Sequence, residues 1–164
     1  MTIVYEGPGD IFKAPQKTLV CTVNVVGAMG KGIALECKKR FPGLFEAYLE
    51  ALLFDTERKG MLHMREAMER NCHTLTLWDP PDSSDRNVLL FPTKLHWAWD
   101  SPLELIEENL DILSRQYKEM GIESLAVPPL GCGNGHRVYQ TEVRPLIHRY
   151  LGDDISIPVG VYFG

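Results

Sequence analysis

Two glycine-rich segments are the residues in this chain whose type and spacing could do chemistry. Gly27-Ala28-Met29-Gly30-Lys31-Gly32 and Gly131-Cys132-Gly133-Asn134-Gly135 each follow a run of aliphatic and β-branched residues, 18–26 and 125–130. Glycine lets the backbone approach a ligand closely and reach positive φ, so successive N–H groups can converge on an anion. Two such loops facing each other would cradle a diphosphate. Neither is a standard nucleotide signature. Gly27 and Gly30 stand too close for a P-loop, Gly32 follows Lys31, and Leu35 takes the third glycine position of the dinucleotide fingerprint. Tight turns are the plain alternative for either loop.

Lys94 lies within Phe91-Pro92-Thr93-Lys94-Leu95-His96-Trp97, and only a family resemblance singles it out from the other lysines. A partly desolvated lysine loses its charge more readily and becomes a nucleophile. Kept protonated, it would stabilise charge on a leaving group. A surface lysine in a turn after Pro92 is the competing reading, because lysine is seldom buried. His96, Trp97 and Trp99 follow closely; they could stack on a base or cover a sheet edge.

The elements that must position these groups read as one α/β domain over residues 1–164. Residues 2–6 are β-prone and end at Gly7-Pro8-Gly9, and residues 18–26 read as a strand buried on both faces. Helical spacing runs over 33–41, breaks at Pro42-Gly43 and resumes over 44–53, with 55–71 read as loop with some helix. Strands are predicted at 73–78 and 87–91, separated by a turn at 79–85 and ended by Pro92. The strongest helix spans 101–120, with Ser101 as N-cap, Pro102 at the first helical position and Glu104 completing a capping box. Leu103, Ile106, Leu110, Leu113 and Tyr117 form its apolar face. A strand at 125–130, a short helix at 142–151 and a last strand at 155–163 complete the pattern, strand–glycine loop–helix being the layout of an α/β nucleotide site.

Composition narrows the function classes. The chain has 164 residues, 45% hydrophobic and 24% charged, which suits a single globular domain that needs no staples. A net charge of -5 gives no footprint for general nucleic-acid binding, yet leaves room for a small anion held by local amides. Cys21, Cys37, Cys72 and Cys132 form no C-x-x-C pair and fit free thiols in a reducing cytoplasm. Cys132 and His136 alone are too few for a metal site, so no metal and no cofactor are expected. No run approaches the ~18 apolar residues of a membrane span, and no signal peptide is seen, so a cytoplasmic location without membrane contact is expected.

Three segments together resemble the macrodomain family in order and spacing. They are Gly9-Asp10-Ile11-Phe12, Val23-Asn24-Val25-Val26-Gly27-Ala28-Met29-Gly30-Lys31-Gly32-Ile33-Ala34, and Pro128-Pro129-Leu130-Gly131-Cys132-Gly133-Asn134-Gly135. The Phe-Pro-Thr-Lys segment at 91–94 is similar to that of the DarG-type antitoxin macrodomains, DNA ADP-ribosyl glycohydrolases that are themselves similar to the terminal ADP-ribose protein glycohydrolases. The resemblance implies a three-layer α/β/α fold with a mixed central sheet and a site for ADP-ribose. It implies that Asp10 and the Ile11 amide meet the adenine, although Asp10 also suits a turn or helix cap. Asn24 would lie by the distal ribose, its alternative being to bridge backbone groups at a strand end. Gly30, Gly32 and Ile33, with Leu130, Gly131, Cys132, Gly133, Asn134 and Gly135, would hold the diphosphate and distal ribose. Met29 and Lys31 would pack and cap beside them, with Thr93 adjacent to Lys94, the implied catalytic residue.

The implied activity is removal of ADP-ribose from a modified macromolecule, either ADP-ribosylated thymidine in DNA or an ADP-ribosyl ester on protein. A non-catalytic ADP-ribose-binding module and an ADP-ribose phosphate phosphatase are the alternatives. The implied partners are ADP-ribose, ADP-ribosylated DNA or protein, and a cognate ADP-ribosyltransferase toxin acting on the same substrate; a monomer is expected. The sequence departs from the pattern after Gly135, where it reads His136-Arg137-Val138-Tyr139-Gln140. The acidic residue that the protein glycohydrolases carry there is missing, and the nearest acid is Glu142. His136 could take an acid or base role, or be an exposed loop histidine.

Overall fold

The computed structural model describes residues 4–59, 75–81 and 86–164. Cys72, and the parts of the expected elements at residues 2–3, 60–74 and 82–85, lie outside the described residues. Six strands form one sheet: β1 (Val4–Pro8), β2 (Thr18–Asn24), β3 (Thr76–Trp78), β4 (Asn87–Lys94), β5 (Leu125–Val127) and β6 (Val159–Phe163), in the order β1-β6-β5-β2-β4-β3. Every neighbouring pair is parallel except β3 with β4. The sheet is therefore mixed, as expected, with β3 as its one antiparallel strand among the described residues.

Alternation along the strands builds two apolar layers. Leu19, Cys21 and Val23 of β2, Val88 and Leu90 of β4 and Ala126 of β5 pack with α1 (Gly32–Arg40) and α2 (Leu44–Lys59) through Cys37, Leu44 and Tyr48. On the other face Val20, Leu89, Phe91, Leu125 and Val127 pack with α3 (Leu103–Gln116) through Ile106, Leu110 and Leu113, and with the C-terminal helical segment through Val143, Ile147 and Leu151. Strands covered on both faces read as continuous apolar runs, which is why β2 and β4 are so legible in the sequence. The C-terminal segment is less regular than the 142–151 pattern predicts. One α turn, α4 (Arg144–Ile147), sits between two π-helical stretches, Tyr139–Val143 and His148–Asp153.

Two expectations are corrected. β4 does not stop before Pro92 but runs to Lys94. The register to β2 slips there, Val23 facing Pro92 and Asn24 facing Lys94, so Thr93 is an extra residue. A bulge is where a strand tolerates proline, and among the described residues β3 pairs with Val88, Leu89 and Leu90 of β4. Ser101 does not cap α3. The N-cap residue is Pro102, with no side-chain cap bond, and Ser101 is buried with its N–H donated to the Gly135 carbonyl at 3.0 Å. The long-range loop contact outcompetes the local capping box.

The β1 edge is tied to the C-terminal segment through Glu6, whose carboxylate accepts from Arg144 Nε at 2.9 Å and contacts His148 Nε2. Burial alone would raise the Glu6 pKa, but the His148 and Arg144 hydrogen bonds and charges bring it below the ordinary value. A carboxylate depressed in the folded state stabilises above its unfolded pKa of ~4.3, and that contribution is lost as pH falls through the lower folded value. Glu6→Gln should therefore cost about 1 kcal/mol at neutral pH. Denaturant melts of parent and variant should differ near neutrality and converge as the pH falls below the lowered folded-state pKa of Glu6.

Candidate functional site

β2 and β5 are hydrogen-bonded parallel neighbours, Thr18 facing Leu125 and Leu19 facing Ala126. The chain leaving β2 goes to the β4 side, and the chain leaving β5 goes to β6 on the other. Connections that diverge from adjacent parallel strands leave a crevice beyond their carboxyl ends, and ligands of open α/β sheets sit in such crevices. A cavity of about 700 Å³ occupies this position. Its walls are the ends of β2, β4, β5 and β6 together with both glycine loops.

The first loop is shaped by Asn24. Its Oδ1 accepts from the N–H groups of Val26 (3.1 Å) and Ala28 (3.3 Å), and its Nδ2 donates to the Ala28 carbonyl at 2.9 Å. The Tyr48 hydroxyl, reaching over from α2, lies 2.7 Å from the Asn24 carbonyl and 2.8 Å from its Oδ1, and accepts from Gly27 N–H at 3.0 Å. Burial pushes the Tyr48 hydroxyl well above its ordinary pKa, so it stays a donor. With its turn fixed in this way, the loop delivers Gly30, Lys31, Gly32 and Ile33 to the cavity wall and starts α1 there. No side chain caps α1, and its first ladder bond is Leu35 N–H to the Lys31 carbonyl. The Gly32, Ile33 and Ala34 amides therefore face the cavity as donors without protein acceptors among the described residues, a ready anion site.

The second loop is a compact knot closed on itself. Cys132 N–H donates to the Pro129 carbonyl, His136 N–H to Gly133 and Arg137 N–H to Gly131, at 3.1, 3.2 and 2.9 Å. The amides of Gly133, Asn134 and Gly135 make no such bond among the described residues. Gly131 has φ +71°, and a Cβ there would sit 2.6 Å from Ile106 Cδ1. At Gly135 a Cβ would run into the Ser101 hydroxyl and lie 2.5 Å from the Gly131 carbonyl oxygen. Only glycine lets the knot press this closely against α3. The Cys132 thiol donates to the Leu130 carbonyl at 3.4 Å, and burial raises its pKa to about 11, so it is a thiol rather than a thiolate at neutral pH.

Lys94 closes the cavity floor. The bulge at Thr93 turns both Thr93 and Lys94 toward the cavity, where regular alternation would send one away. Lys94 is only 8% exposed. Its Nζ donates to the Asn134 carbonyl at 2.6 Å and to the Trp97 carbonyl at 3.1 Å. Desolvation lowers its pKa; Asp100 opposes that shift and Lys31 adds to it. Lys94, which the competing reading put on a surface turn, is thus a buried lysine at a strand end beside the second glycine loop.

The other expected residues divide. Asn24, Gly30, Lys31, Gly32, Ile33, Thr93, Gly131, Cys132, Gly133, Asn134 and Gly135 all line the cavity with Lys94. Met29 and Leu130 are buried in the apolar layers beneath the loops rather than on the wall. Asp10 and Ile11 are not on the wall either: Asp10 Oδ1 accepts from Phe12 N–H at 3.0 Å and caps the turn Ile11–Lys13, the helix-cap alternative. His136 is exposed, its Nδ1 2.7 Å from Asp100 Oδ1, and it does not line the cavity. Glu142 accepts from Val138 N–H at 2.8 Å and pairs with Arg137, so it caps the C-terminal helical segment and leaves the wall without an acid. Tyr48, Ser101 and Phe163 were not legible as site residues. Tyr48 reads as one more apolar position of a helix, Ser101 as a cap, and Phe163 as the end of a strand.

With this geometry in place, the likeness to known proteins can be stated. A Macro domain family model matches residues 20–147. A DNA ADP-ribosyl glycohydrolase of Thermus aquaticus is 35% identical over 154 residues, covering 94% of this chain and 39% of that protein. The chain thus spans about two-fifths of the length of the first curated relatives it matches. Among solved structures, the macrodomain of Thermus aquaticus DarG superposes with a TM-score of 0.78 at 33% identity, with 100% of both chains covered. Thermosipho africanus DarTG in complex with ADP-ribose gives 0.76 at 36% identity over 95% of this chain and 40% of that one.

The Tyr48 network generates a direct test. Tyr48→Phe removes the hydroxyl that holds Gly27 N–H and Asn24, leaving buried polar groups unmatched, and should lower stability by about 1–3 kcal/mol in denaturant titrations. Amide hydrogen exchange in the variant should rise at residues 25–30 while the core strands β2 and β4 stay protected.

Proposed function

The chain belongs to the Macro domain family, and from that premise we propose that its cavity holds an ADP-ribosyl group and that Lys94 releases it from a modified DNA base. The observation that carries the proposal is the position of Lys94 Nζ, buried and held against the Asn134 carbonyl, between two sets of amides suited to a diphosphate. The uncapped start of α1 and the free amides of Gly133 to Gly135 would grip the diphosphate, and Asn134 and Lys94 would flank the distal ribose. The DNA-base substrate is supported by the names of the relatives, DNA ADP-ribosyl glycohydrolases, over the ester on protein. A cognate DNA ADP-ribosyl transferase as partner is supported by the Thermosipho africanus relative, a transferase–glycohydrolase fusion protein.

Desolvation favours the neutral amine and hence the nucleophilic role. Nζ adds to the anomeric carbon of the distal ribose, and the bond from that carbon to the base breaks, with the departing nitrogen taking up a proton. Water then displaces the lysine, giving free ADP-ribose and the restored amine. A second reading, binding without turnover, rests on one observation: among the described residues no Asp or Glu lines the cavity to activate that water.

The test is release of ADP-ribose from an ADP-ribosylated thymidine oligonucleotide, with an ADP-ribosyl ester on protein as the comparison substrate. Lys94→Ala and Lys94→Arg should each lose about 10²-fold or more in rate, Arg because it keeps charge without nucleophilicity. Calorimetric affinity for ADP-ribose should be preserved in Lys94→Arg. The single-turnover rate of the parent should rise with pH as Lys94 deprotonates and level off below the ordinary lysine value of ~10.4. Tight ADP-ribose binding with no release from either substrate selects the binding module.

A further inference from the structure

Beside the cavity, residues 96–99 form an aromatic turn that neither the diphosphate site nor Lys94 chemistry uses. The His96 ring centroid lies 5.0 Å from both the Trp97 and the Trp99 indoles, at interplanar angles of 31° and 33°. Trp97 is 57% exposed and Trp99 51%, among the most exposed large apolar side chains of the described residues. The turn is built rather than floppy: Trp99 N–H donates to the His96 carbonyl at 3.1 Å and Ala98 N–H to His96 Nδ1 at 3.0 Å. Lys94 Nζ anchors the Trp97 carbonyl from below. Trp97 also lines the cavity, so the aromatic surface continues directly from the wall beside Lys94.

We propose that the His96–Trp97–Trp99 turn is a stacking platform for the unpaired nucleobases that flank the ADP-ribosylated nucleotide; this rests on the DNA-base substrate proposed above. Flat aromatic rings accept any base by stacking, and holding them in place beforehand removes most of the ordering cost. Two indoles with exposed Ala98 and Asp100 around them are too small and too polar-rimmed for a stable protein interface, which needs about 800 Å² from each partner. The net charge of -5 offers little attraction to phosphates, so on this proposal the hold on a strand comes from base faces and depends only weakly on salt. Each stacked base requires a single strand, so duplex substrate should be refused.

The experiment compares two substrates, ADP-ribosylated thymidine nucleoside and a short single-stranded oligonucleotide carrying the same modified thymidine, with parent, Trp99→Ala and Trp99→Phe. Trp99 does not line the cavity, so nucleoside turnover should be unchanged in both variants. On the oligonucleotide, Trp99→Ala should lose roughly 5- to 100-fold in kcat/KM, through KM, and Trp99→Phe should recover most of it. Equal kcat/KM of the parent on the two substrates, or equal loss of both in Trp99→Ala, overturns the platform. If neither substrate is turned over, the catalytic proposal fails and the platform is judged separately, by quenching of tryptophan fluorescence with unmodified single-stranded oligothymidylate. Quenching that Trp99→Ala diminishes supports it; no quenching, or a Trp99-dependent dimer in sedimentation in its place, overturns it.

Discussion

The site depends on the parallel pairing of β2 with β5. Each of these strands is followed by a glycine loop, and their adjacency puts the two loops across one crevice. Had β5 paired elsewhere, the loops would be two unrelated turns. Because the connections leave in opposite directions, neither loop is covered by the other's crossover, and the space between them stays open as a cavity of about 700 Å³. The register is held by strands buried on both faces, with Leu19, Leu125 and Ala126 fully excluded from water. A slip of one residue would exchange the two apolar layers, so the sheet that supports the site is strongly specified.

Three polar devices then turn an open crevice into a shaped one. Asn24 and Tyr48 fold the first loop so that the start of α1 faces inward without a cap. Ser101 and the glycines of the second loop pack so closely that no Cβ fits at Gly135. The bulge at Thr93 brings Lys94 into the cavity, where its ammonium group joins the end of β4 to the second loop through Asn134. Each device links segments far apart in the chain, and the first two leave the N–H groups of Gly32 to Ala34 and of Gly133 to Gly135 without protein acceptors among the described residues. Such converging donors are chemically suited to an anion.

Some of this was legible in the residues. The continuous apolar runs of β2, β4 and β5 and the breakers Pro42-Gly43 and Gly121 placed most elements within a few residues. The two glycine loops were legible as loops after buried strands, and twelve of the sixteen expected site residues lie on one cavity wall. Where the reading failed, a distant contact outcompeted a local preference. Pro92 reads as a strand breaker, but its position beside a bulge lets β4 continue. Ser101 reads as a cap, but its backbone is claimed by Gly135, and Pro102 takes the cap position. Asp10 is a different case, since its cap is a local contact: Oδ1 accepts from Phe12 N–H two residues on.

What the chain's own order of residues determined is the identity and spacing of the parts: two glycine loops after buried strands, a lysine shortly after Pro92, and an amphipathic helix to cover one face. Those follow from periodicity and backbone sterics, which act within a few residues. The tertiary structure alone decided that the loops face each other, that Tyr48 completes the first, and that Lys94 is buried with a lowered pKa rather than solvated on a turn. These outcomes depend on strand order, bulge register and desolvation. All three are set by contacts between residues tens of positions apart, which local pattern cannot encode.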